Sequence, residues 1–122
     1  RPDGGLTFVD FEHFGWDDPA KLICDFCLHP HPRMNIGDDL RSRFVDSVSR
    51  GIEDPELMGR VSSLFPVFAL KWSTILLNEF IDDASARRSL AGVSQDETSR
   101  LRQLSKAETM VQTATDGKFP YA

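Results

Sequence analysis

Apolar residues recur at helical spacing over most of the chain, and this pattern predicts a mainly α protein. The first predicted helix begins at Asp18, whose side chain can cap free backbone N–H groups, and at Pro19, which suits the first helical position. It ends at the sequence HPHP, positions 29–32, because proline breaks helices. A second helix is predicted over 37–50, with Gly51 as its stop. The apolar residues expected to face the core are Leu22, Ile23, Phe26 and Cys27 in the first helix and Leu40, Phe44 and Val48 in the second.

Two further helices follow, and the longer of them is expected to be the core helix. It begins near the Asp-Pro pair at 54–55, and Pro66 falls inside its pattern, so we expect either a kink or two helices that meet there. The last helix is predicted from Ser94, with Glu97 three residues later as in a capping box, to about position 115. The apolar residues are Leu57, Val61, Leu64, Phe65, Phe68, Trp72, Ile75, Leu76 and Phe80 in the third helix and Leu101, Leu104, Ala107, Val111 and Ala114 in the last.

One short β-strand is predicted ahead of the helices. The sequence LTFV at 6–9 is β-prone, and PDGG at 2–5 is a strong turn signal. Because a hairpin turn needs a strand on each side, we expect the partner strand to lie upstream of Arg1. The sequence thus predicts a single partial domain over 1–122, with half a hairpin followed by four or five helices. The unpaired strand edge also predicts self-association.

Composition excludes some partners. A net charge of -5 makes nucleic acid an unfavourable partner, because phosphate backbones attract clustered Lys and Arg. The longest apolar stretch, 64–81, contains proline, lysine, asparagine and glutamate, which are costly in a bilayer, so we expect a buried helix and no membrane contact. No secretory signal opens the chain, and Cys24 and Cys27 are too few for a disulfide scaffold. A cytoplasmic location is therefore expected.

Carboxylates at the end of the predicted strand are the main candidates for chemistry. Asp10 follows the strand directly, and Glu12 comes two residues later, so both point the same way. A loop containing Gly15 and then the capped helix follow. Oxygen ligands at such a position suit a hard divalent cation such as Mg²⁺. The alternative interpretation is that Asp10 only terminates the strand or caps a turn.

The sequence FVDFEHFGWDDP at 8–19 closely resembles the metal-binding segment of the aminoglycoside phosphotransferase and choline kinase family, which has a protein-kinase-like fold. The resemblance implies that this chain is part of a kinase-like C-lobe. It implies that Asp10 matches the Asp of the kinase Asp-Phe-Gly motif and binds the Mg²⁺ that bridges the phosphates of ATP or another nucleoside triphosphate. Phe11 then packs behind it, and Glu12 reaches the metal through water. The implied acceptor is a hydroxyl group of a small molecule.

The resemblance also assigns supporting roles in the first helix. Asp18 opens this helix as the family's Asp-Pro does. Family members often carry another Asp four residues later, where this chain has Leu22. Asp25, about one turn further on, is the candidate substitute that would hold the catalytic loop. The alternative is that Asp25 is an ordinary carboxylate on the helix surface.

The catalytic parts of such a kinase are expected outside this chain. In the family a His-x-Asp followed by an Asn precedes the metal-binding Asp, whereas the nine residues before Asp10 contain neither His nor Asn. We therefore expect the catalytic base upstream of Arg1, no catalytic residue in this chain, and no activity from the chain alone. The rival hypothesis is a non-catalytic helical binding or interaction module.

Two cysteines and two histidines also stand close together, at Cys24, Cys27, His29 and His31. Zinc sites usually separate two ligand pairs by a loop, and these four residues occupy only eight positions. The spacing therefore favours buried core thiols over a zinc site or a redox pair.

Overall fold

The described part of the chain is a set of four α-helices. The structure, a computed structural model, describes residues 15–31, 34, 36–81 and 97–121. The helices are α1 (Pro19–Leu28), α2 (Asp38–Gly51), α3 (Leu57–Leu77), which a 3₁₀ turn (Asn78–Phe80) continues, and α4 (Glu97–Asp116). The prediction of a mainly helical chain is confirmed, and the described residues contain no strand. The predicted strand over 6–9 lies outside them.

The start of α1 agrees with the sequence prediction in detail. Asp18 has an extended backbone, and its side chain accepts a hydrogen bond of 2.9 Å from the N–H of Ala20. Pro19 occupies the first turn, where its missing N–H costs nothing. The helix ends at Leu28, and His29 is again extended. The predicted cap and the predicted stop are therefore both confirmed.

The third helix runs without a break across Pro66. The alternative of two helices that meet at this proline is therefore wrong. Proline removes one backbone hydrogen bond, but Phe65 and Ala69, on either side of it, are 2% and 0% exposed. Because most helix stability in proteins comes from such packing, the buried face keeps the helix continuous.

The central helix is α3, which packs against both α1 and α4. The guanidinium of Arg100, near the start of α4, lies 5.2 Å from the ring centre of Phe80, at the far end of α3. Phe119, just after α4, lies 5.1 Å from Phe65 in the middle of α3. The two helices are therefore antiparallel. On the other side of the bundle, α2 packs against α1.

Small residues occupy helix contacts where the sequence pattern favoured larger ones. Leu22, Leu40 and Leu101 were expected in the core, but they are 54%, 50% and 59% exposed. Ala20 is buried instead, and Ala107, which was predicted on the apolar stripe of the last helix, is buried as well, because a small side chain lets two helix backbones approach closely. Leu104 and Val111 are also exposed, against expectation. The buried core consists of Ala20, Ile23, Cys24, Cys27, Leu28, Val45, Leu57, Val61, Phe65 and Ala69.

The residues after α4 form what we call the C-terminal segment, 117–121. Gly117 has φ of 62°, a left-handed conformation that suits glycine and turns the chain back over the bundle. Phe119 then packs on Phe65, and Tyr121 packs on Phe119 with ring centres 5.7 Å apart. The Tyr121 hydroxyl donates to Asp38 Oδ1 over 3.3 Å. The segment therefore joins α4 to α3 and α2.

The surface of α3 is unusually apolar. The stretch Leu57–Phe80, with a mean hydropathy of 1.2, is long and apolar enough to cross a membrane, and only 28% of its apolar window is buried. Val67 and Leu70 are 58% and 49% exposed. However, the charged residues Arg60 and Lys71 form ion pairs with carboxylates outside α3. The expected buried helix is thus only partly buried, with one face in the core and an apolar face exposed.

Candidate functional site

Two of the four predicted site residues lie in the described part of the chain. Asp10 and Glu12 lie outside it, so their metal-binding role stays a prediction. Asp18 and Asp25 both line a cleft of about 420 Å³ beside α1. They share this face because residues seven apart lie two turns apart on the same side of a helix. The cleft is also lined by Gly15, Asp17, Pro19, Lys21, Leu22 and Ile52.

Asp18 links α1 to α3 through an arginine. Arg60 donates from Nε to Asp18 Oδ2 over 2.9 Å and from Nη2 to Asp54 Oδ2 over 2.7 Å. The hydrogen bond from Arg60, followed by that from the Ala20 N–H, holds the pKa of Asp18 below its usual value. Arg60 lowers the pKa of Asp54 in the same way. One guanidinium therefore fixes the start of α1 against the start of α3.

This arginine predicts a specific pH dependence of stability. Because the pKa of both carboxyls is lowered from 3.8, their contribution is complete above about pH 5 and is lost as the pH falls through their folded-state pKa. Arg60→Met should lower the melting temperature by a few degrees at pH 7, and the difference from wild type should shrink toward zero by about pH 2. Thermal melts followed by circular dichroism between pH 7 and pH 2 test this.

The matched control for this experiment is Arg50→Met. Arg50 pairs with Asp46 on the surface of α2, and their side chains are 79% and 66% exposed. Exposed pairs contribute little, so this variant should melt like wild type at every pH. If Arg60→Met keeps a constant deficit down to low pH, the arginine acts through packing of its stem, and the ion pairs do not stabilise the fold.

Asp25 is tied to α3 by two donors. Lys71 Nζ lies 2.9 Å from Oδ1 and 3.1 Å from Oδ2, and Trp72 Nε1 donates to Oδ1 over 3.0 Å. The ammonium also lies 5.1 Å from the ring centre of Phe68 and 5.3 Å from that of Trp72. Asp25 therefore positions α1 on α3, and its predicted contact with a catalytic loop stays a prediction. Sequence analysis missed its partners, although a lone lysine in an apolar helix is a signal that it needs one.

Between the two aspartates, the cleft is lined by a leucine. Leu22 is exposed, and it stands where the related family often has an Asp. Lys21 pairs with Asp17 across one helical turn, and its hydrogen bond lowers the pKa of Asp17. Three carboxylates and one lysine thus line the cleft. Lys21, Arg60 and Lys71 each pair with one of these carboxylates, so the cleft is lined by closed ion pairs.

Both cysteines are core thiols, as predicted. Cys24 and Cys27 are 0% and 6% exposed, and burial raises the pKa of their thiols to about 12 and about 11. The Cys24 thiol donates to the carbonyl oxygen of Val61 over 3.8 Å. His29 packs instead against Trp72, with ring centres 5.0 Å apart. Within the described ranges, no three His, Cys, Asp or Glu residues are placed to hold a metal ion.

The chain matches no protein-family model, no curated protein and no solved structure. Its chemistry is therefore inferred from the segment 8–19 and from the contacts of Asp18 and Asp25 beside it.

Proposed function

We propose that this chain is part of the catalytic lobe of a phosphotransferase with a protein-kinase-like fold, which transfers phosphate from ATP or another nucleoside triphosphate to a hydroxyl group of a small molecule. The observation that carries this proposal is the sequence FVDFEHFGWDDP at 8–19, which combines a carboxylate after a β-prone run with an Asp-Pro helix start. Asp10 binds the Mg²⁺ of the nucleotide, and Glu12 contacts it through water. The protein acts in the cytoplasm.

The contacts of α1, which follows the segment 8–19 in the chain, support this proposal. Only seven residues separate Asp10 from Asp18. Asp18 caps α1 and pairs with Arg60, while Asp25 binds Lys71 and Trp72 on α3. Phosphoryl transfer depends on positioning, so the metal-binding segment benefits from an anchor that does not move. Asp18 and Asp25 supply such an anchor, because they fix α1 at its start and again two turns later.

The role of each group in the reaction follows from the residues that the chain contains. A bound Mg²⁺ would neutralise negative charge on the nucleotide phosphates. The Asp10 carboxylate holds and orients the ion, since it is an oxygen ligand of the kind Mg²⁺ prefers. The proton-accepting Asp, the second metal ligand and the phosphate-binding lysine of such an enzyme would come from sequence outside positions 1–122.

The test compares two proteins from the same gene. We expect a longer protein that includes the upstream His-x-Asp and Asn to transfer phosphate from ATP to members of a panel of small alcohols and amino alcohols. The chain 1–122 alone should show no transfer above a heat-treated control. Transfer of labelled phosphate is the measurement.

Two results would contradict the proposal. Activity in the chain 1–122 itself would show that the catalytic parts are assigned to the wrong place. An upstream sequence without a His-x-Asp, together with an inactive longer protein, would establish the non-catalytic helical module instead.

A further inference from the structure

A second and larger cavity lies at the C-terminal end of α1. It has a volume of about 550 Å³ and is bounded by the last turn of α1, by α2, α3 and α4, and by the C-terminal segment. Pockets for small organic ligands have volumes of roughly 300–1,000 Å³. The cavity shares no lining residue with the cleft beside α1, although Asp25 of the cleft and Cys27 of the cavity are only two positions apart.

Much of the cavity wall is apolar. Cys27 and Leu28 come from α1, Phe65 from α3 and Met110 from α4, and Pro120 closes the wall from the C-terminal segment. Phe65 is 2% exposed and fixed by Phe119, so this part of the wall is rigid. The methionine side chain adapts to different shapes. Such a wall binds an aliphatic chain or a single ring.

One wall residue is a largely buried arginine that is not fully paired. The Arg41 side chain is 17% exposed, and its Nη1 donates over 3.2 Å to Asp38, whose side chain is 80% exposed. Its Nε is fully buried and has no hydrogen-bond partner in the described structure. A buried donor without a partner costs free energy, so such groups usually serve a purpose. A guanidinium with spare donors in a cavity wall suits a carboxylate or a phosphate.

The other polar groups of the wall add one unpaired cation. Lys118 is exposed and forms no ion pair within the described residues. Burial raises the pKa of Tyr121, so its hydroxyl is neutral at neutral pH, and its proton is donated to Asp38. Asp116 is the one carboxylate in the wall, and it accepts a hydrogen bond of 2.8 Å from Gln112. The wall itself thus carries two cations and one carboxylate, and Asp38, which pairs with Arg41, lies beside it.

We propose that this cavity binds a small anionic amphiphile, a molecule with an apolar body and one carboxylate or phosphate group, and that Arg41 pairs with the anionic group. The apolar body lies along Phe65 and Met110. Lys118 adds a second positive charge at the mouth. The site does not depend on the proposed phosphotransferase activity, because it shares no residue with the cleft beside α1.

The experiment measures binding of four probes that share an eight-carbon chain, octanoate, octyl phosphate, octanol and octyltrimethylammonium, to the chain 1–122 by isothermal titration calorimetry. Each probe is kept below its micelle concentration. We expect at least one anion to bind, and to bind at least about 10-fold more tightly than octanol, since a charge-assisted hydrogen bond in a cavity contributes about that factor. The cationic probe should not bind. The tighter of the two anions identifies the carboxylate or the phosphate as the natural group.

Variants then assign the anion to Arg41. Arg41→Met should weaken anion binding by about 10-fold or more, whereas Arg43→Met, an exposed arginine on the same helix, should leave it unchanged. Lys118→Met should weaken it and Asp116→Asn should strengthen it, and both residues are exposed, so folding is not at risk. Amide shifts of Thr113 and Tyr121 in NMR spectra locate the probe in the cavity.

Three outcomes would overturn the proposal. If octanol binds as tightly as the anions, the cavity recognises only the apolar chain and not the anionic group. Equal anion affinity in Arg41→Met and Arg43→Met would place the anion elsewhere. Absence of binding by both anions at millimolar concentration would show that the cavity holds no such ligand. If Arg41→Met does not fold, the opposite effects of Lys118→Met and Asp116→Asn decide the question.

Discussion

Replacing Asp10 by Asn in the proposed intact phosphotransferase is expected to reduce turnover by on the order of 100-fold or more, with little change in melting temperature. The amide has nearly the shape of the carboxylate but not its charge. A metal ion supplies several kcal/mol of charge stabilisation in phosphoryl transfer, and each 1.36 kcal/mol is a factor of about ten in rate. The measurement is turnover at saturating Mg²⁺ and ATP, with a thermal melt of each variant.

The chain offers a matched control for this experiment in Asp39→Asn. Asp39 is an exposed aspartate in the first turn of α2 and lines neither cavity. The Asp39→Asn variant should leave turnover unchanged. An Asp10→Asn variant that folds and turns over like wild type would show that Asp10 has no role beyond ending the predicted strand. A Glu12→Gln variant should have a smaller effect than Asp10→Asn, because a ligand acting through water contributes less than a direct one.

Replacing Phe65 by Ala is expected to destabilise the chain by about 3–5 kcal/mol, or to lower its melting temperature by roughly 10–20 °C. Phe65 is 2% exposed at the centre of α3, and its ring meets that of Phe119 edge to face. Its removal leaves a void that rigid neighbours cannot fill. Urea unfolding followed by tryptophan fluorescence measures the change.

The control for Phe65→Ala is Leu70→Ala on the same helix. Leu70 is 49% exposed, so its truncation should cost less than about 1 kcal/mol. If the two variants have similar stability, Phe65 is not in the core of the folded chain. Phe65→Leu should fall between them, because leucine fills part of the same volume.

The sequence predicts helix ends better than helix faces. The start and the end of α1 each depend on residues that lie within a few positions of each other, such as Asp18 and Pro19 at the start. Both ends were predicted correctly. The buried face depends on which neighbour the helix meets. Ala20 is buried and Leu22 is exposed because α3 lies on the alanine side of α1, and no local pattern contains that information.

The partners of the site residues could not be read from the sequence for a similar reason. Asp25 and Lys71 are 46 positions apart, and Asp18 and Arg60 are 42 positions apart. The capping role of Asp18 is local, but its ion pair with Arg60 requires the packing of α1 on α3. Arg41 and the cavity beside it were missed entirely, because the cavity arises where five separate parts of the chain meet.

The C-terminal segment sets an order for the assembly of this bundle. The hydrogen bond from Tyr121 to Asp38 joins residues 83 positions apart, and the entropy lost in closing a loop grows with its length. The helices can pair through shorter loops first, so this contact is expected to form last during folding. The cavity beside Arg41 is lined in part by Pro120 and Tyr121 of this segment, so it is completed only at the last step of folding.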